Sequence, residues 1–170
     1  MLGFLFRTLT ADPARGAALF AALTAEARKP HWYVEGAVPD TLDGRFAMLA
    51  TVVALANVRL EQLGDEGNAA SVALTERFIE VMESEHREMG LGDPKLGRTV
   101  RKLVGSVARR VALWRAATAG EREWSEAARE SCYGDAAPAG ALDHSAAALR
   151  RLWTALAAAG LGALVEGRIA

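Results

Sequence analysis

The sequence predicts an all-α protein, a single-domain helical bundle of about six helices over residues 1–170. Apolar residues recur at steps of three and four along most of the chain, which is the period of an amphipathic helix. No run of alternating β-branched residues is flanked by hairpin turns, so nothing indicates a sheet. With 51% hydrophobic residues the chain can bury one core, and its one-sided apolar stripes are typical of a bundle with short connections.

A cap and a proline mark the start of the first helix. Asp12 is followed by Pro13 at the first helical position, and the helix ends at Pro30. A loop then covers residues 31–39. The predicted inward positions of this helix are Leu19, Phe20, Leu23 and Ala27.

Two longer helices follow that loop. Asp40 or Thr41 caps the first of them, which ends near Gly64. The second covers about residues 68–89, and Gly90 is placed as the left-handed residue just past its end. The first of the two has its inward positions at Phe46, Leu49, Val53, Ala56 and Leu60. The second has them at Val72, Leu74, Phe78, Ile79 and Met82.

The second half of the chain begins with another cap and proline. Asp93 followed by Pro94 starts a fourth helix that ends at Gly120, and a shorter helix then runs to about Cys132. After a loop, a last helix covers about residues 142–159. The fourth helix is predicted to bury Leu96, Val100, Leu103, Val104, Val107, Val111 and Trp114, against the stripe of the third. The last helix is predicted to bury Leu149, Leu152, Trp153 and Leu156.

Composition excludes several classes of function. The formal net charge is −1, so the overall balance does not predict a DNA-binding protein. Cys132 is the only cysteine, which excludes an internal disulfide and a zinc site built from several thiolates. The apolar start of the chain lacks the charged flank and cleavage site of a signal peptide, and no apolar run reaches the roughly 20 residues of a membrane span. We therefore expect a soluble cytoplasmic protein.

The residues that could support catalysis are few. His31, His86, His144 and Cys132 come with no nucleophile elbow or phosphate loop. Glu83 and His86 have the Glu-x-x-His spacing of di-iron helical bundles, but the other histidines lack a glutamate three residues earlier. A solvated acidic face is the favoured interpretation, and a metal-binding helical-bundle enzyme stays as an alternative.

Charge is segregated between the third and fourth helices. Residues 76–93 carry six acids against two arginines, whereas residues 95–115 carry seven bases and no acid. A basic helix of this kind can bind an anionic membrane surface or the ribosome, or it can neutralise the acidic helix beside it. The bases expected on the surface are Arg98, Arg101, Arg109 and Arg110.

The loop that enters the second helix has an unusual composition. Gly36 permits a positive φ, and Pro39 holds the chain extended before the helix. Asp40 or Asp43 can accept backbone N–H groups at the helix start. Gly44 in the first turn costs about 1 kcal/mol relative to alanine, so close packing is expected there. The following Arg45 can then reach a carboxylate or a cluster of carbonyl groups.

Two sequence blocks carry a resemblance to a known family. Residues 33–46 read Tyr-Val-Glu-Gly-Ala-Val-Pro-Asp-Thr-Leu-Asp-Gly-Arg-Phe, and residues 87–93 read Arg-Glu-Met-Gly-Leu-Gly-Asp. In order and separation these blocks resemble the ubiquinol–cytochrome c chaperone family. The family-like core covers about residues 30–134. Residues 81–86 depart from the acidic run usual before the second block, which makes the Glu-x-x-His spacing an accident of this sequence.

The resemblance implies an assembly factor for the cytochrome bc1 complex of the respiratory chain that is not an enzyme and needs no cofactor. Mitochondrial members bind newly made cytochrome b, act with a small partner protein and associate with the ribosome. This chain is similar to the bacterial members, which implies a place in the cytoplasm or at the surface of the inner membrane. An apolar groove for the client is expected beside the basic helix. The implied partner-binding residues are Tyr33, Glu35, Gly36, Pro39, Asp40, Thr41, Asp43, Gly44, Arg45, Met48, Glu88, Gly90, Gly92, Asp93, Gly97 and Lys102.

Overall fold

The all-α prediction is confirmed in the computed structural model, which describes residues 14–88, 93–134 and 137–169. This part of the chain contains seven α-helices and no strand. They are α1 (Ala14–Ala27), α2 (Leu42–Glu61), α3 (Gly64–Glu88), α4 (Asp93–Thr118), α5 (Trp124–Ala128), α6 (Ala139–Ala158) and α7 (Leu161–Val165). A 3-10 turn covers Pro30–Trp32, and a π turn at Arg129–Tyr133 continues α5. The short α7 was not among the predicted helices.

Helix α2 is the centre of the bundle. Nine consecutive residues, 50–58, are buried, so the one-sided stripe predicted for this helix is wrong. A helix that is packed on every side must be apolar on every side, or its polar side chains must form hydrogen bonds within the protein. Its two polar residues in this stretch meet that condition. Thr51 donates to the carbonyl of Ala47 at 2.7 Å, and Asn57 donates to Thr75 Oγ1 at 3.0 Å.

The stripes of α1 and α3 were predicted well except at one position. The four inward residues of α1 are all buried, as are Leu74, Phe78 and Met82 of α3. The prediction that Val72 faces inward is wrong, since 54% of its surface is exposed. Ser71 lies on the buried face instead, where its hydroxyl donates to Asn57 Oδ1 at 3.0 Å. The serine is tolerated there because Asn57, a buried polar residue of α2, accepts its hydrogen bond.

Helix α4 packs against α2 more extensively than against α3. The predicted pairing of the α3 and α4 stripes is therefore secondary to the packing of both helices on α2. The prediction that Val104 faces inward is wrong, because 40% of its surface is exposed. Leu103, Val107, Val111 and Trp114 are buried as predicted, whereas the side chain of Leu96 lies outside the described residues.

The far ends of α2 and α6 are held together by one arginine. Arg59 donates from Nε to the carbonyl of Leu156 at 3.2 Å and from Nη2 to that of Ala159 at 3.1 Å. Leu156 lies in the last turn of α6 and Ala159 is its C-cap residue, so Arg59 supplies side-chain donors to the C-terminal end of that helix. Of the helices that the structure describes, none is both long enough and apolar enough to cross a bilayer.

Candidate functional site

A groove opens where α1 ends, α2 begins and α3 ends. Its volume is about 790 Å³. The residues that line it come from these three helices and from the loop between α1 and α2. They are Thr24, Ala27, Arg28, Pro30, Tyr33, Asp40, Leu42, Arg45, Phe46, Leu49, Met82, Glu85 and Glu88. Among the described residues none from α4 lines the groove, and the expected position beside the basic helix stays a prediction.

The inner surface of the groove is apolar. Phe46 and Leu49 of α2 face Met82 of α3, and the Phe46 ring lies 5.9 Å from that of Phe78 in the core. Leu42 stands at the rim with 75% of its surface exposed. A large apolar side chain left in water beside a concave apolar surface is typical of a binding site.

The wall formed by the α1–α2 loop is fixed on two sides. Toward α1, Tyr33 donates its hydroxyl to the carbonyl of Ala27 at 2.7 Å. Toward α6, Tyr133 donates to the carbonyl of Gly36, and the oxygens of Tyr133 and Ser145 lie 2.6 Å apart. Burial raises the pKa of both tyrosines, so their hydroxyl groups remain protonated donors at neutral pH.

Gly36 is required for close approach rather than for a positive φ. A Cβ atom there would lie 2.5 Å from the carbonyl oxygen of Trp32 and 2.6 Å from Ser145 Oγ. The positive φ of the loop, 46°, belongs to Ala37. Gly36 does not use the positive φ that glycine permits, and it is needed because it lets the loop pack onto α6.

The start of α2 is built by Thr41 and Gly44. The backbone N–H of Gly44 donates to Thr41 Oγ1 at 3.1 Å, so Thr41 is the N-cap. Of the two predicted caps, Asp40 or Thr41, the structure has Thr41. The side-chain cap is therefore neither Asp40 nor Asp43, the two predicted alternatives for accepting backbone N–H groups. The expected close packing at Gly44 is confirmed, since a Cβ atom would lie 1.9 Å from the carbonyl oxygen of Pro39.

The rim of the groove carries charges of both signs. Arg45 Nε donates to Asp40 Oδ1 at 2.6 Å, and this hydrogen bond lowers the pKa of Asp40 and raises that of Arg45. The pair therefore stays ionised and neutral as a unit. Glu85 and Glu88 are exposed on the α3 side, and Arg28 is exposed on the α1 side.

The groove unites four of the predicted partner-binding residues, namely Tyr33, Asp40, Arg45 and Glu88. Others act behind it or elsewhere. Met48 is fully buried in the core, so direct contact with a partner is excluded for it, because its side chain faces away from solvent.

The remaining predicted residues fall into four groups. Gly36 and Gly44 are buried and support the loop and the start of α2. Exposed near the groove without lining it are Glu35, Pro39, Thr41 and Asp43, and exposed on α4 are Gly97 and Lys102. Gly90, Gly92 and the side chain of Asp93 lie outside the described residues.

Sequence reasoning missed the apolar residues that form the groove. Leu42, Phe46 and Leu49 follow one another at steps of four and three, so they share one face of α2. The signal was present in the spacing. Apolar positions at helical spacing are usually buried, so the spacing predicts core positions for Phe46 and Leu49, and the predicted stripe begins only after Leu42.

Arg110 is a correction to the predicted basic surface. It is only 8% exposed, and it donates to the carbonyl of Ser131 from Nη2 at 2.8 Å and from Nε at 3.3 Å. It also donates to the hydroxyl and the carbonyl of Ser106. Burial lowers the pKa of Arg110. The exposed bases of α4 include Arg98, Arg101, Lys102 and Arg109.

Cys132 is unsuited to nucleophilic catalysis. Its thiol is buried beside Thr51, with an S···O distance of 3.6 Å, and burial raises its pKa to about 11. The thiolate is the reactive form, so at neutral pH the group is inert. The described residues contain no cluster of three potential metal ligands. The side chain of His86, half of the Glu-x-x-His spacing, lies outside them.

Comparisons with known proteins agree with the two sequence blocks. The family model described as ubiquinol–cytochrome c chaperone matches residues 35–170, which begins within the predicted family-like core and continues past its predicted end at residue 134. The crystal structure of the Cbp3 homolog from Brucella abortus superimposes with a TM-score of 0.74. It shares 24% identity and covers 98% of this chain and 94% of its own, a likeness that shows a common fold. The comparison with curated proteins gave no match.

Proposed function

Because the chain belongs to the ubiquinol–cytochrome c chaperone family, we propose that it assists assembly of the cytochrome bc1 complex by binding newly made cytochrome b in the groove between α1, α2 and α3. The role is non-catalytic. The observation that carries the proposal is the apolar groove with Leu42 exposed at its rim. An unassembled membrane protein presents apolar helices, and an apolar groove shields such surface from water.

The fixed loop supports this proposal. A binding surface keeps its affinity when its walls are held before the partner arrives, because less freedom is lost on binding. The loop wall is held to α1 through Tyr33 and to α6 through Tyr133. The family motif residues Gly36 and Gly44 therefore contribute by shaping the groove rather than by touching the client.

Photo-crosslinking tests the position of the client. A benzophenone side chain at Leu42, in cells that make the bc1 complex, is expected to crosslink to cytochrome b. Val72 is the matched control, because it is an exposed apolar residue of α3 that does not line the groove. Crosslinks to cytochrome b from Val72 but not from Leu42 would contradict the proposed groove.

A second proposal concerns the exposed bases of α4. Arg98, Arg101, Lys102 and Arg109 are exposed, and residues 95–115 contain no acid. We propose that this face holds the protein at the cytoplasmic side of the inner membrane through anionic lipids, each base near the surface contributing about 1 kcal/mol. The ribosome, as a second polyanion, and a small partner protein are further candidates for the same exposed surface.

Vesicle co-sedimentation separates these partners. Reversal of Arg98 and Arg109 to glutamate is expected to abolish binding to vesicles that contain anionic lipid at low salt. Reversal of Arg129, which is exposed outside α4, serves as the control. Retained vesicle binding by the α4 variant would contradict the proposal, and salt-sensitive binding to ribosomes alone would assign the face to RNA.

A further inference from the structure

The size of the groove limits how much of a client it can hold. One turn of helix, taken as a cylinder about 10 Å wide and 5.4 Å long, occupies roughly 420 Å³. A transmembrane helix of about 20 residues occupies roughly 2,400 Å³ on the same basis. The groove volume of about 790 Å³ therefore corresponds to about two turns. A groove of this size holds part of a transmembrane helix rather than its whole length.

The charges at the rim distinguish between the two ends of such a helix. Once Asp40 and Arg45 have neutralised each other, the charged residues that line the groove within the described part of the chain are Glu85, Glu88 and Arg28. The two glutamates are three residues apart on α3, so they are neighbours on one face and repel each other. They also lie in the last turn of α3, where the helix dipole disfavours negative charge.

A cation at this side of the groove relieves both unfavourable interactions. The flanks of transmembrane helices differ in the same property, because loops on the cytoplasmic side are enriched in lysine and arginine. An acidic rim beside a two-turn apolar groove is thus complementary to a cytoplasmic helix end. It disfavours an end that carries acidic flanks, and it gives an uncharged flank no electrostatic gain.

From this complementarity we infer that the groove binds the cytoplasmic end of a client transmembrane helix, with its last two apolar turns on Phe46, Leu49 and Met82 and its basic flank at Glu85 and Glu88. The inference rests on the proposed function and specifies which part of the client is bound. The remaining turns of the client helix stay outside this groove, in the bilayer or on another partner.

Three peptides test the inference on the full-length protein. Each carries about eight leucine and alanine residues, or two turns, followed by a lysine, glutamine or glutamate pair. Fluorescence anisotropy at low salt is expected to show the lysine peptide binding about three- to tenfold more tightly than the glutamate peptide, since exposed ion pairs are weak individually. Added salt should reduce this ratio.

Charge-removing variants show which residues read the flank. Glu85→Gln with Glu88→Gln is expected to bring the ratio close to one, while binding of the glutamine peptide is retained. The control, Glu76→Gln with Glu83→Gln, removes two charges from the same helix away from the groove and should keep the wild-type ratio.

The outcomes separate the inference from the proposed function. Equal binding of the three peptides, or equal loss of the ratio in both double variants, would overturn the inference and leave the groove as a client site. If no peptide binds the wild-type protein, the groove does not hold apolar helix ends, and the inference and the proposed groove both fail.

Discussion

The Nδ1 atom of His31 lies 3.1 Å from the Nε2 atom of His144. This contact joins the 3-10 turn after α1 to the second turn of α6, and the His31 ring also packs on Trp32 with ring centroids 4.3 Å apart. A hydrogen bond between two imidazoles requires one donor and one acceptor, so at least one ring must be unprotonated on the facing nitrogen. The contact therefore favours the neutral form of at least one of the two imidazole rings.

Acid is expected to weaken this contact. The pKa of His31 is lowered, first by burial and then by His144, with Lys29 acting in the same direction and Glu26 and Glu35 opposing it. A histidine whose pKa is lower in the folded state leaves the unfolded chain with more bound protons, so stability falls as pH falls below about 6.5. Full stability is present above that value.

Urea denaturation between pH 7.5 and pH 5 checks this expectation. The free energy of unfolding of the wild-type protein should decrease over this range, and His31→Gln should show a shallower decrease because the titrating group is gone. An identical pH dependence for the two proteins would show that His31 does not contribute to it.

The start of α2 gives a second prediction. Gly44→Ala should lower the free energy of unfolding by about 1–3 kcal/mol, because the added methyl would lie 1.9 Å from the carbonyl oxygen of Pro39. Gly105→Ala is the matched control in α4, where nothing lies within 4 Å of the added Cβ. Its helix propensity should raise stability by about 0.5–1 kcal/mol. Equal effects of the two substitutions would contradict the packing described for Gly44.

Two adjacent arginines give a third prediction. Arg110→Ala should cost about 1–3 kcal/mol, because the buried carbonyl of Ser131 loses its side-chain donors. Arg109→Ala removes the same charge from the exposed face of the helix and should change stability by less than about 0.5 kcal/mol. Chemical denaturation of both variants measures the difference. A larger loss of stability for Arg109→Ala than for Arg110→Ala would contradict the burial described for Arg110.

The sequence allowed the fold to be predicted where local rules decide it. Proline and glycine signals located most helix ends, since they restrict the backbone directly. The sequence did not predict that α2 is surrounded by other helices. Large apolar residues recur at steps of three and four both in a central helix and in a surface helix, so this spacing does not distinguish them. Residues 50–58 indicate a central helix only if the alanines among them are counted as buried positions.

The candidate site was predicted in part. The motif residues Tyr33, Asp40 and Arg45 lie at the groove, but the groove itself depends on how α1, α2 and α3 meet, which no local pattern specifies. Arg110 shows the opposite error. A charged residue in a basic run is expected in solvent, and its burial depends on a carbonyl acceptor in a π turn 21 residues away.

The most direct test of the central claim is the amount of cytochrome b that co-purifies with the protein when the groove is altered. Leu42→Gln makes the exposed rim polar without touching the core, and Val72→Gln makes the same kind of change outside the groove. Leu42→Gln is expected to lower co-purifying cytochrome b and the level of assembled bc1 complex severalfold, at unchanged levels of the protein itself, while Val72→Gln is expected to match wild type. Wild-type levels of both with Leu42→Gln would contradict the central claim.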